Sequence, residues 1–284
     1  MDVPPRSLRH AGMAVQVWPD AEIACRVAGD LIITSIRAAE AQRRRAVLGL
    51  ATGSTPERVY AHLVRQYRTG GVSFRNVITY NLDEYYPISP VDPRSYRAYM
   101  HRHLFSQVDL EPNRAHVLDG TVPEAFVAGL AAAFDRWIEA DGGLDLQLLG
   151  IGRNGHIGFN EPSDLTVAEA LRLPTRLVEL HPTTRADAAR DFGGADQVIA
   201  RALTLGIAPI LAARSIVILA TGAPKAEAVA AALTGPMTAA LPASLLQSVA
   251  GKVTWILDEP AASGLNGPWS VVRGDQDRVR GAAH

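Results

Sequence analysis

The sequence predicts an α/β protein, a single Rossmann-like domain whose mostly parallel sheet carries helices on both faces. Three observations predict it. Short, nearly continuous apolar runs recur along the chain, among them AVLGLA (46–51), LDLQLLG (144–150) and SIVILA (215–220). Strands buried on both faces read in this way. Longer stretches with apolar residues at helical spacing lie between these runs, the alternation expected of βαβ units. Glycine-bearing polar segments follow directly after the runs, where open parallel sheets collect their ligands.

In chain order, 15–18 is short and β-rich, and 20–43 places Ala21, Ile23, Ala24, Val27 and Leu31 at helical spacing. The run 46–51 enters Thr52-Gly53-Ser54-Thr55-Pro56. There Thr55 suits a helix N-cap and Pro56 the first helical position, and Val59, Leu63 and Tyr67 mark the helix that follows. Residues 77–80 read as a third strand, ending at Asn81-Leu82-Asp83-Glu84. Stretches 95–105 and 123–140 read as helices, and 144–150 as a buried strand. Two more strands, 215–220 and 253–257, flank a helix over 225–233. No internal repeat or Pro/Gly/Ser-rich linker divides the chain. One domain is therefore expected over 13–261, with an N-terminal extension (1–12) and a C-terminal tail (262–284) that lack order.

The chain has 284 residues, with 28 Lys+Arg against 29 Asp+Glu and a net charge of -1. That balance argues against nucleic acid or an anionic membrane as a partner. No apolar run approaches the ~20 residues of a membrane span, and the N-terminus lacks the apolar stretch of a signal peptide. The single cysteine, Cys25, excludes an internal disulfide and fits a reducing cytosol. Only Lys225 and Lys252 are lysines, so arginine supplies 28 − 2 = 26 of the basic residues. Codon bias is the plain reading, but it makes each lysine worth locating.

Four segments at predicted strand ends carry reactive residues. In 52–56, Gly53 allows close backbone approach, and the helix start offers free amides to an anion; a plain, well-capped turn is the simpler alternative. In 81–86, Asp83 and Glu84 are adjacent and must point to opposite sides of an extended backbone. One can face the crevice and abstract a proton from carbon if partly desolvated, although an Asp-Glu pair is more often just solvated. Glycines surround His156 in Gly150-Ile151-Gly152-Arg153-Asn154-Gly155-His156, and Glu161 follows five positions later, where it can orient the imidazole or stabilise its charged form. Thr221-Gly222-Ala223-Pro224-Lys225 puts a lysine at a helix start, which the helix dipole disfavours unless the two share an anion.

Together, LGLATGSTP, VSFRNVITYNLDEYY with SYRAYMHRHLF, LLGIGRNGHIGFNEP, ALTLGI and LATGAPKAEAV resemble the glucosamine-6-phosphate deaminase (isomerase) family, which shares its fold with 6-phosphogluconolactonases. The resemblance implies conversion of glucosamine 6-phosphate to fructose 6-phosphate and ammonia without metal or organic cofactor, in a cytoplasmic enzyme, and it allows a homo-oligomer. It matches Asp83 to the base that moves a proton between C2 and C1, His156 to the group that opens the sugar ring, and Glu161 to its carboxylate partner. Gly53, Ser54 and Thr55 match the phosphate loop, Gly150 a substrate-binding position, and Arg190 and Lys225 the basic residues closing over the phosphate. Some members carry aspartate where this chain has Asn154, which can orient His156 but cannot neutralise an imidazolium. Arg176-Leu177-Val178-Glu179 lacks a lysine that allosteric members use, so the resemblance implies no sugar-phosphate activator. The alternatives on this scaffold are a galactosamine-6-phosphate deaminase/isomerase, a 6-phosphogluconolactonase-like hydrolase and a non-catalytic sugar-phosphate sensor. The sensor would need a DNA-binding module, and about twelve residues before the first strand are too few for one.

Overall fold

The apolar runs become the middle strands of a nine-stranded sheet. A computed structural model describes residues 5–10, 12–265 and 270–271. The chain begins with the hairpin β1 (Arg6–His10) and β2 (Met13–Trp18), then α1 (Ala21–Ala41), β3 (Ala46–Leu50), α2 (Ser54–Arg68), β4 (Val77–Asn81) and β5 (Asp83–Tyr86). It continues through α3 (Tyr96–His103), β6 (Ala115–His116), α4 (Glu124–Ala140), β7 (Leu146–Leu149), α5 (Val167–Ala170), β8 (Arg176–Glu179) and α6 (Pro182–Phe192). The last elements are β9 (Arg201–Thr204), α7 (Ile207–Ala212), β10 (Ile216–Ala220), α8 (Ala226–Thr234), β11 (Val253–Asp258) and β12 (Ser270–Val271).

The large sheet runs β12-β1-β2-β11-β10-β7-β3-β4-β6. It is parallel from β2 to β6, with β1 antiparallel to both β2 and β12. Every residue of β3, β4 and β10 is buried, so both faces are covered, as the uninterrupted apolar runs require. Helix α1 starts at an Asp20 cap, whose carboxylate accepts from the Ile23 amide at 2.8 Å. It buries Ala24, Ala28, Ile32 and Ile36 at four-residue spacing against β2, β3, β10 and β11.

Two expectations are corrected. Residues 6–10, expected to lack order, form β1, with Leu8 buried and all five residues paired to β2. At the other end Ala262 and Leu265 are buried in the core, so the packed domain extends past 261. Residues 1–4, 11, 266–269 and 272–284, the rest of the two terminal segments, lie outside the described residues. The sequence also gave no sign of a second sheet. Strands β5, β9 and β8 form a three-stranded antiparallel unit in which Asp83 and Arg176 both pair with Thr204. Its four-residue strands of mixed polarity, DEYY, RALT and RLVE, are too short for a periodicity to show.

The neighbours β3 and β7 mark where strand order switches: from β3 the chain builds β4 and β6 on one side, while β7, β10 and β11 fill the other. In open α/β sheets the crevice beyond the strand ends at such a point receives the ligand. Segments 52–56 and 150–161 both begin there.

Candidate active site

Asp83 and Glu84 start β5 with opposite surroundings. Glu84 is buried and accepts three backbone N–H groups: Tyr85 at 2.9 Å, and at the N-terminus of α3, Tyr96 at 2.8 Å and Arg97 at 2.9 Å. Asp83 is 6% exposed, and its Oδ1 makes no hydrogen bond among the described residues. Burial, then the charge of Glu84, pushes its carboxyl up to about 8, with a hydrogen bond from Thr52 pulling the other way. Tyr85 and Tyr96, 5.0 Å apart between ring centroids, both respond to the Asp83 charge. A buried carboxyl with an unbonded oxygen, ionising near neutrality, has the character of a general base.

The loop after β7 folds tightly around His156. The Gly152 amide donates to the His156 carbonyl at 2.9 Å and the Gly155 amide to the Gly152 carbonyl at 3.0 Å. A Cβ on Gly152 would lie 2.3 Å from His156 Nδ1, so no other residue fits beneath the imidazole. His156 Nδ1 lies 2.8 Å from Asn154 Oδ1, whose amide Nδ2 donates to Glu161 Oε2 at 3.0 Å. Thr184 Oγ1 is 3.2 Å from the same Nδ1. These contacts keep Nδ1 protonated and leave the Nε2 lone pair for another partner. Burial works against the Glu161 carboxylate, but hydrogen bonds from His156, Thr184 and Asn154 outweigh it and hold the carboxyl below its usual range. The loop then returns to Asp83. The Phe159 amide donates to Thr204 Oγ1 at 3.0 Å, and a Cβ on Gly158 would sit 3.7 Å from Asp83 Oδ2.

The anion end differs from expectation in one respect. Helix α2 begins at Ser54, with Gly53 rather than Thr55 at the N-cap and no side-chain cap. Gly53 takes φ 110°, ψ 179°, a conformation closed to other residues. Its turn starts the helix early and leaves the first amides without an internal side-chain acceptor, as an anion site requires. Thr55 Oγ1, freed from capping, lies 3.3 Å from Thr221 Oγ1 and joins the first segment to the fourth. Behind the loop, the Tyr99 hydroxyl on α3 donates to the Gly53 carbonyl at 2.7 Å. Lys225 ends a 3-10 turn before α8. Half-buried, its ammonium is lowered below the usual lysine range by burial, with the charge of Asp187 raising it and that of Arg153 lowering it further.

The structure thus gathers Asn154, His156 and Glu161 into one chain of hydrogen bonds and brings Asp83 to the same loop. Gly53 and Thr55 lie at one helix start, while Ser54 is exposed and Gly150 half-buried after β7. Arg190 sits in the last turn of α6, exposed and without a hydrogen bond or ion pair among the described residues. Sequence reasoning missed Thr52, Tyr96 and Thr184. Thr52 heads a segment already singled out but was given no role there, whereas Thr184 reaches His156 only through the fold.

Residues 19–255 match the family model described as glucosamine-6-phosphate isomerases/6-phosphogluconolactonase. A glucosamine-6-phosphate deaminase of Rhodopirellula baltica is 47% identical over 250 residues, covering 88% of this chain and 94% of the relative. One from Bacillus velezensis is 48% identical over 223 residues, covering 78% and 89%. Among solved structures, a monomeric glucosamine-6-phosphate deaminase superposes with a TM-score of 0.82 at 38% identity, covering 88% of this chain and 99% of that one. The 6-phosphogluconolactonase of Trypanosoma brucei superposes at 0.70 with 21% identity, covering 89% and 98%, a likeness of fold.

Proposed function

The chain belongs to the glucosamine-6-phosphate isomerase/6-phosphogluconolactonase family, and we infer from this and from the site that it converts glucosamine 6-phosphate to fructose 6-phosphate and ammonia. The observation that carries this reading over a lactonase is Asp83, a buried carboxyl raised to about 8. Lactone hydrolysis breaks no C–H bond, whereas isomerisation needs a base strong enough to take the proton from C2.

In the proposed sequence, His156 Nε2 takes the O1 proton of the cyclic sugar and delivers it to O5 as the C1–O5 bond breaks. Asn154 and Glu161 hold the ring of His156 for both transfers. Asp83 removes the proton from C2 while a proton of the C2 ammonium passes to O1, giving an enolamine, and Asp83 then returns its proton to C1, leaving an iminium at C2. Water adds there, the C2–N bond breaks, and fructose 6-phosphate and ammonia leave. The step is thus hydrolytic at nitrogen as well as isomerising. The amides following Gly53, with Ser54, Thr55, Arg190 and Lys225, hold the phosphate, and Gly150 lines the sugar. No helix among the described residues is long and apolar enough to cross a membrane; with one cysteine, buried, a cytoplasmic place in amino-sugar breakdown fits this chemistry.

The test is ammonia release from glucosamine 6-phosphate beside galactosamine 6-phosphate, with 6-phosphogluconolactone hydrolysis measured in parallel. The expected result is ammonia from the glucosamine sugar and little lactone turnover; no ammonia from either hexosamine would defeat the reading. The imidazole relay has its own test. Asn154→Asp puts a carboxylate where an amide oxygen now lies 2.8 Å from Nδ1. Since an adjacent anion favours imidazolium over neutral imidazole, one limb of the kcat/KM profile should move to higher pH. An unmoved limb would show that this position does not tune the imidazole.

A further inference from the structure

The mechanism above makes no use of a second link between the glycine loop and α6. Arg153, three residues before His156, forms a forked ion pair with Asp187. Its Nε lies 3.1 Å from Oδ2, and its Nη2 meets the other carboxylate oxygen. Both side chains are partly exposed, and isolated pairs of that kind contribute little. This one is bidentate and joins segments 34 residues apart. On α6, Thr184 and Asp187 are three residues apart, and Arg190 three further on, so the three share a helix face. Thr184 on that face already touches His156 Nδ1, and Asp187 lies within electrostatic reach of Lys225.

We propose that Arg153 and Asp187 are a positioning pair that clips α6 to the glycine loop, keeping Thr184 on His156 and turning the helix face that bears Arg190 toward the Lys225 end of the site. This rests on the proposed deaminase reading only for its kinetic arm. Asp187 would repel a phosphate if it faced the substrate alone; tied to Arg153, it adds no net charge there. The pair therefore fixes α6 at little electrostatic cost to anion binding.

The experiment is a double-mutant cycle with Arg153→Ala, Asp187→Ala and the double variant, together with the charge swap Arg153→Asp/Asp187→Arg. Each single variant should lower kcat/KM for glucosamine 6-phosphate by about three- to fivefold. Both a higher KM (Arg190 displaced) and a lower kcat (Thr184 displaced) should contribute. The double variant should be no worse than the worse single, and the swap should recover most of the loss. Hydrogen exchange of the α6 amides, read without substrate, should speed up in both singles and return toward the parental rate in the swap. Additive losses would overturn the proposal, as would opposite effects on KM, with Arg153→Ala raising it and Asp187→Ala lowering it, or unchanged α6 exchange in the singles. If the parent protein released no ammonia, the deaminase reading would fail while the exchange arm still decided the fate of the pair.

Discussion

Asp83→Asn is expected to lower kcat for ammonia release by about 10²–10⁴-fold, the usual weight of a general base, and at the same time to make the fold more stable toward alkaline pH than the parent. Both effects follow from one environment. In the unfolded chain Asp83 ionises near its ordinary value of 3.8, and in the folded protein near about 8. Between those values the folded state holds the proton more tightly. The stabilisation from this group is complete below about pH 4 and is lost as pH rises through about 8. Asparagine has no proton to hold and lacks that slope. Melting temperatures of parent and variant across this window should therefore diverge in the variant's favour as pH rises, whatever their offset at pH 4. A constant offset would mean that Asp83 is not held protonated by burial. The acid limb of the parent's kcat/KM profile should also report a group titrating near pH 8, the form that accepts the C2 proton being the ionised one.

The second large effect is expected at the neighbouring acid. Glu84→Ala should cost about 2–4 kcal/mol of unfolding free energy, because it strands one buried and two part-buried N–H groups that now bond to its carboxyl group. Ser95, which accepts from the Ala98 amide at 3.0 Å, stays as the cap of α3 but serves a different donor. Glu84→Gln keeps an acceptor oxygen and should lose less than half as much. Denaturant unfolding of both variants gives the comparison; a change below about 0.5 kcal/mol, the range of ordinary surface substitutions, would show that Glu84 does not anchor α3. Two adjacent carboxylates thus have opposite tasks, one satisfied and structural, the other left short of donors.

That division was half legible from sequence. Strand alternation alone separates Asp83 from Glu84, but nothing local to 81–86 says which of them meets the α3 amides, because Tyr96 and Arg97 lie a dozen residues on. The parallel core was legible because β3, β4 and β10 are apolar throughout. The antiparallel unit β5-β9-β8 was not, since its register is set by contacts far apart in sequence, such as Asp83 with Thr204. Gly152 and His156 stand in one visible motif, yet the reason for the glycine is a clash with a ring four residues away. Thr55 was misplaced by one turn element: it has the right chemistry for a cap, but the positive φ of Gly53 starts the helix earlier and sends the hydroxyl to Thr221. Thr184 carries no local sign of its contact with His156.

The eight-residue helix α3 touches both ends of the site. Its first amides grip Glu84 beside Asp83, and one turn later its Tyr99 hydroxyl holds the Gly53 carbonyl. If Asp83 works at C1 and C2 and the Gly53 turn holds the phosphate on C6, then a single stiff rod spans the substrate from head to tail. A displacement of the rod carries both contacts with it and leaves their separation unchanged. The helix then acts as a gauge, the spacing of its residues fixing the distance between the two ends.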